Sequence, residues 1–146
     1  MGSMFSSAGY SAATFTLDLS SWDTSSVQDM SWMFGDCAGY SATTWSINGL
    51  SSWDTSSVTN MNYVFYLAGY SAATFTLDLS SWNTSNVTNI YGMFGYGEPV
   101  SATTWSVTIP QTNGNNISNT TSRFYGKITS EYAWPPSGKS FTLAQP

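Results

Sequence analysis

Thr74-Phe75-Thr76-Leu77-Asp78-Leu79-Ser80-Ser81-Trp82-Asn83-Thr84-Ser85-Asn86-Val87-Thr88-Asn89-Ile90-Tyr91-Gly92-Met93-Phe94 is one of several near-copies of the same sentence. Its first half alternates. Phe75, Leu77 and Leu79 are separated by Thr76 and Asp78, the period-two pattern of a strand with one buried face. The same alternation runs through Phe15, Leu17 and Leu19 and through Trp105, Val107 and Ile109. Ser-Trp-Asp/Asn-Thr-Ser then reads as a turn. In it Asp23, Asp54 and Asn83 can hydrogen-bond the backbone two residues on. The second half changes period. Val87, Ile90, Met93 and Phe94 repeat Val58, Met61, Val64 and Phe65, and before them Val27, Met30, Met33 and Phe34. That spacing predicts one apolar face of a short helix. Thr24 to Ser26 are N-cap candidates for it, and the Gly of a following Ala-Gly is its natural end.

Working outward, Ala8-Gly9-Tyr10, Ala38-Gly39-Tyr40 and Ala68-Gly69-Tyr70 punctuate the chain every 30 residues, with Glu98-Pro99-Val100 in the fourth slot. Neither a strand nor a short helix can bury its apolar side alone, so such units stack into a solenoid. The expected fold is an α/β right-handed solenoid of leucine-rich-repeat type. A parallel sheet lies on one side and short helices on the other, in about four 30-residue coils plus a C-terminal cap strand. The second copy carries one extra residue in Ser46-Ile47-Asn48-Gly49-Leu50, which predicts a bulge that returns Leu50 to the inner face. Met1-Gly2-Ser3 reads as a cloning scar, with Met4-Phe5 as the tail of a truncated helix. The solenoid is expected over 4–123 and a capping segment over 124–146. Thr120 and Arg123 make the fourth helix slot more polar, Pro135-Pro136 bars helix, and Ser140-Phe141-Thr142-Leu143 echoes Thr74 to Leu77 as a fifth strand.

Leu77 to Ile90, continuing to Met93-Phe94, resembles the BspA-like leucine-rich repeats of bacterial surface proteins, also described as a Listeria-type surface lipoprotein repeat. The pattern shared is Leu-Asp-Leu-Ser-x-Trp-Asp-Thr-Ser-Asn-Val-Thr-Asn-Met-x-x-Met-Phe, and the likeness runs from Met4 to about Phe124. It implies an exported or wall-attached bacterial protein that adheres to or binds host proteins. It brings no catalytic residues. The longer Ala-Gly-Tyr-Ser-Ala-Ala-Thr-Phe-Thr connection departs from the family's shorter one.

Composition narrows the function. The chain has 146 residues, of which only 8% are charged and 16% aromatic. The net charge is −5, with Arg123, Lys127 and Lys139 the only basic residues. No basic patch can neutralise a run of phosphates, which disfavours nucleic acid and acidic lipid as partners. No apolar run is long enough to insert directly into a membrane as a helix. There is no His, so the commonest general base and metal ligand is missing. No enzyme activity, metal or cofactor is expected. Asp18 and Asp78, with Asn48 between them, could pass for paired carboxylates, but nothing builds a cleft around them. Calcium at Asp23, Asp54 and Asn83 would lack ligands. Cys37 stands alone, a small hydrophobe rather than a reactive thiol.

Two surfaces are candidates for contact with a host or matrix protein or glycan. The first is the outward sheet face, where Thr14, Thr44, Thr74 and Thr104 should align beside Thr16, Ser46, Thr76 and Ser106, with Asp18, Asn48 and Asp78 at the strand ends. Thr is also simply a good exposed strand residue. The second is an aromatic slot on the helix side, assigned to Trp32, Tyr63 and Tyr91. Trp22, Trp53 and Trp82 recur in step with the core pattern and are read as core. The expected function is a non-enzymatic, extracellular adhesion or binding module. The alternatives are a structural spacer in a larger surface protein and, remotely, an ice-binding solenoid acting through its Thr rows.

Overall fold

The computed structural model describes residues 1–94, 104–110 and 139–144. One parallel sheet runs β1 (Thr14–Asp18), β2 (Thr44–Asn48), β3 (Thr74–Asp78), β4 (Thr104–Pro110) and β5 (Lys139–Ala144), in chain order. Thr14 pairs with Thr44, Thr44 with Thr74 and Thr74 with Thr104, so each of the first four strands lies one 30-residue repeat from the last. The alternation is the cause: Phe15, Trp45, Phe75 and Leu77 are buried while Thr14, Thr44, Thr74 and Thr76 are exposed. The expected fifth strand is present, two residues out of the anticipated register. Ser140 stands opposite Ser106 and not opposite Thr104. An even shift keeps the alternation in phase with β4.

The opposite layer departs from expectation. Among the described residues there is no α-helix, and the one helical segment is a 3-10 turn, Leu50–Ser52. Successive β-turns replace the predicted helices. Met33 N–H donates to Met30 O at 3.2 Å and Gly35 N–H to Trp32 O at 3.0 Å, closing turns within one coil. Between them the chain bonds outward: Met30 N–H reaches Asn60 O, Trp32 N–H reaches Asn62 O and Phe34 N–H reaches Val64 O, at 2.9 to 3.0 Å. A helix would have used those donors internally. The next coil repeats the pattern, with Met61, Tyr63 and Phe65 donating to Asn89, Tyr91 and Met93. Isolated parallel bridges Asp29–Asn60–Asn89 mark this second ladder. The apolar spacing keeps its meaning, because turns of this length also return a side chain inward every third residue. Met30, Met33, Phe34, Met61, Val64, Phe65 and Met93 are all buried. Met1 to Ser3 continue the ladder: the Met1 ammonium donates to Asp29 O at 2.7 Å and Ser3 N–H to Ser31 O at 2.8 Å.

Thr24 and Thr55 do not cap helices. Each is buried and donates its hydroxyl to the next coil, Thr24 to Asp54 O and Thr55 to Asn83 O, both at 3.0 Å. Trp53 and Trp82 are buried as well, with indole N–H groups on Leu19 O and Leu50 O. The tryptophan ladder is therefore core, with only Trp22, on coil 1, half-exposed. Cys37 is half-buried, and burial and then the Asp36 charge raise its pKa. The readings made for Glu98-Pro99-Val100, Thr120, Arg123 and Pro135-Pro136 lie outside the described residues.

The extra residue at Gly49 does return Leu50 to the core, at 5% exposure. It does so beyond the strand rather than as a bulge within it. β1 and β2 pair without interruption to Asp18–Asn48. Gly49 then turns left-handed at φ 91° into the 3-10 turn. A Cβ there would run into the backbone of Ser20 in the preceding coil. Gly49→Ala should lower stability by roughly 2 kcal/mol or more, combining left-handed strain with a backbone clash. Urea denaturation of the two proteins measures it.

Candidate functional site

The outward sheet face is assembled by strand register. Thr14, Thr44, Thr74 and Thr104 form one exposed row. Thr16 pairs with Ser46 and Thr76 with Ser106 in the next row, where the two serines are half-exposed. Asp18 pairs with Asn48, and Asp78 with Thr108. All eleven sheet-face positions singled out in the sequence thus fall on one surface.

The hydroxyls of this face differ from those elsewhere. Around the turns, several Ser and Thr side chains are committed to the stack. Ser57 donates to Ser25 O at 2.8 Å, Ser81 to Ser51 O at 3.0 Å, Thr59 to Gln28 O at 3.2 Å and Thr88 to Thr59 O at 3.1 Å. No such hydrogen bond ties Thr14, Thr16, Thr44, Thr74 or Thr76. Their hydroxyls point to solvent with both donor and acceptor capacity available.

The carboxylates at the strand ends are held in local turns. Ser20 N–H and Oγ–H donate to Asp18 Oδ1 at 3.1 and 2.6 Å, and Ser80 N–H donates to Asp78 Oδ1 at 3.0 Å. Asn48 has no counterpart, because Gly49 displaces the following serine. Asp23, Asp54 and Asn83 make the expected turns, accepting from Ser25, Ser56 and Ser85 N–H at 2.9 to 3.0 Å. A third set went unread in the sequence: Asp29, Asn60 and Asn89 accept from Ser31, Asn62 and Tyr91 N–H. Its signal was available, as an Asx residue two positions before each turn. Among the described residues no group of three or more His, Cys, Asp or Glu could hold a metal.

The aromatic slot needs correction. Tyr91 does not occupy the position of Trp32 and Tyr63. Trp32 and Tyr63 are the third residues of the turns Met30–Met33 and Met61–Val64, with φ of 57° each, and the third residue of Ile90–Met93 is Gly92, with φ 60°. Tyr91 aligns with Ser31 and Asn62. The slip follows aromatic character rather than position, since Tyr91 is the ring next to Gly92 in that turn. The rings nevertheless meet. Trp32 stacks on Tyr63 at 4.2 Å, Tyr63 meets Tyr91 edge-on at 5.6 Å, and Tyr66 packs edge-on against both Trp32 and Tyr63. Tyr63 covers Gly92, where a Cβ would come 2.6 Å from its ring. A second surface ladder was missed: Tyr10, exposed, and Tyr40 and Tyr70, half-buried, stack at 5.1 and 4.6 Å with nearly parallel planes. Its signal was the recurring Ala-Gly-Tyr itself. In such a stack the faces of the middle ring are covered, so it offers edges and hydroxyls and not a sugar-stacking platform.

The Asx turns give stability a pH dependence. Hydrogen bonds from Ser20, Ser25, Ser31, Ser56 and Ser80, side chain first and backbone second, hold Asp18, Asp23, Asp29, Asp54 and Asp78 below the ordinary value of 3.8. A depressed folded-state pKa stabilises above the unfolded value and is lost as pH falls through the folded one. The thermal midpoint should therefore stay flat down to about pH 4 and fall below it. Asp23→Asn with Asp54→Asn, copying Asn83, should keep the turns and shrink that fall. Thermal melts from pH 7 to pH 2 check both.

Residues 1–132 match the model of a family described as Mycoplasma protein of unknown function, DUF285. No curated protein and no solved structure matches the chain.

Proposed function

The chain belongs to this family, Mycoplasma protein of unknown function, DUF285, and we propose that it is a non-enzymatic binding module of leucine-rich-repeat-type coils. It works at the cell exterior and contacts protein or glycan ligands with its outward sheet face. One observation carries the reading: four turn hydroxyls, those of Ser57, Ser81, Thr59 and Thr88, donate to the neighbouring coil, while those of Thr14, Thr16, Thr44, Thr74 and Thr76 make no hydrogen bond. Stacking accounts for the first group, while the second serves the sheet through its methyls and leaves its hydroxyls unspent. A regular array of methyls and uncommitted hydroxyls suits an extended ligand that can both bury apolar area and exchange hydrogen bonds.

The Trp32–Tyr63–Tyr91 cluster is the second contact surface of this proposal. Trp32 and Tyr63 hold a left-handed conformation that Gly92 adopts without strain. Keeping bulky rings there argues for a use beyond the turn itself.

Replacing Thr44, Thr74 and Thr76 together by Lys should reduce binding to host cells or extracellular matrix roughly tenfold or more, with the circular dichroism spectrum unchanged. Binding that survives this triple change would remove the sheet face from consideration. Loss on Trp32→Ser alone would move the site to the aromatic cluster.

A further inference from the structure

Coil 2, the coil that carries β2, breaks the repeat at one dipeptide. Where coils 1 and 3 read Asp18-Leu19-Ser20 and Asp78-Leu79-Ser80, coil 2 reads Asn48-Gly49-Leu50. Three restraints found at the other two places are missing there. Leu19 N–H donates to Asn48 O at 3.0 Å and Leu79 N–H to Thr108 O at 2.8 Å, each one coil on, whereas Gly49 N–H makes no hydrogen bond. Asp18 and Asp78 are held by Ser20 and Ser80 N–H, whereas the Asn48 side chain is exposed and untied. β3 pairs with β4 along its whole length, whereas β2 meets β3 only at Thr44–Thr74, so the end of β2 has a partner on the β1 side alone.

An asparagine carboxamide is open to attack by the backbone nitrogen of the following residue when that nitrogen is unbonded and no side chain stands in the way. Glycine removes the side chain, and the fold requires it at 49: its φ is 91°, and a Cβ would run into the backbone of Ser20. We propose that Asn48 is a site of spontaneous deamidation. Gly49 N gives up its proton to a solvent base and bonds to Asn48 Cγ, closing a cyclic succinimide. The side-chain nitrogen takes a solvent proton and leaves as ammonia. One water then opens the ring. Addition at the side-chain carbonyl gives Asp at 48, and addition at the main-chain carbonyl gives isoaspartate, so the net change is water in and ammonia out. Both products alter the outward face. Asp at 48 sets a carboxylate opposite Asp18 in the strand register, a like-charge pair that weakens the sheet. Isoaspartate routes the main chain through the side chain and displaces the carbonyl that Leu19 N–H uses. The sheet face therefore gains negative charge with time, whether or not it binds a ligand.

Peptide mapping by mass spectrometry tests this on the intact folded chain, held at mildly alkaline pH in water enriched in heavy oxygen. Residue 48 should convert to a mixture of Asp and isoaspartate, each carrying one solvent oxygen, at a rate that rises with hydroxide. Asn60, Asn62, Asn83, Asn86 and Asn89, each followed by a larger residue, should stay intact over the same time. The map separates residue 48 from Asn113-Gly114, which lies outside the described residues. A strand end that opens locally at little cost should keep the native rate within roughly tenfold of the rate in urea. Asn48→Gln should remove the products at this position and leave the circular dichroism spectrum unchanged. An Asn48 that survives in the folded chain while converting in urea would overturn the proposal, because the fold would then protect it. Conversion at Asn83 or Asn86 as fast as at Asn48 would overturn it too.

Discussion

On the side opposite the sheet, each turn leaves backbone N–H groups that its own loop cannot satisfy. They are satisfied only by carbonyls one coil away. Met30, Trp32 and Phe34 donate forward to Asn60, Asn62 and Val64, and Gly39 and Ser41 donate back to Ala8 and Tyr10. Burying such groups without a partner costs on the order of 1–3 kcal/mol each. The neighbour-to-neighbour register is therefore the constraint on which the rest depends. It sets the strand pairing, the buried Thr24 and Thr55 hydroxyls, and the spacing at which side chains stack.

The aromatic ladders follow from that register. Once backbones repeat at strand spacing, identical rings at identical positions must lie face to face. The steps among Phe5, Phe34, Phe65 and Phe94 are 5.4 to 5.7 Å, with planes within 11°. Such pairs contribute about 0.5–1.5 kcal/mol beyond their buried area. Coil 2 shows where the register gives: β2 pairs with β3 only at Thr44–Thr74. Its extra residue is absorbed beyond the strand at Gly49, leaving the β1–β2 pairing intact. The same demand separates two classes of polar side chain. Turn hydroxyls such as those of Ser57, Ser81, Thr59 and Thr88 serve the neighbouring coil, and those of Thr14, Thr16, Thr44, Thr74 and Thr76 over the strands are left to solvent.

Much of the fold was legible in the sequence. The alternation at Thr14–Asp18, Thr44–Asn48 and Thr74–Asp78 located the strands and their inner residues, and the Asp23, Asp54 and Asn83 turns were read correctly. The turn layer was not legible as such. Val27, Met30, Met33 and Phe34 carry the spacing of an amphipathic helix, but successive three-residue turns impose nearly the same spacing. What separates the two is where every second N–H goes, and that acceptor lies some 30 residues away, beyond any local pattern. The high Ser, Thr and Asn content was the local hint, since these side chains compete with the helix for backbone groups. The sheet face was legible as rows of threonines. Its freedom from internal hydrogen bonds was not, because a tied hydroxyl such as Thr59 and a free one such as Thr44 look alike in the sequence. Tyr91 was misplaced because the slot was matched by aromatic character, whereas the position equivalent to Trp32 and Tyr63 in the third turn is Gly92, one residue on.

The fold stands on coupling between adjacent coils, and a double-mutant cycle across one step of a ladder measures it. Phe34 and Phe65 lie in neighbouring coils with centroids 5.4 Å apart and planes at 11°. Stabilities of wild type, Phe34→Leu, Phe65→Leu and the double variant should give an interaction of about 0.5–1.5 kcal/mol. Additivity to within about 0.3 kcal/mol would mean that the coils do not depend on one another through this contact, and would contradict the account.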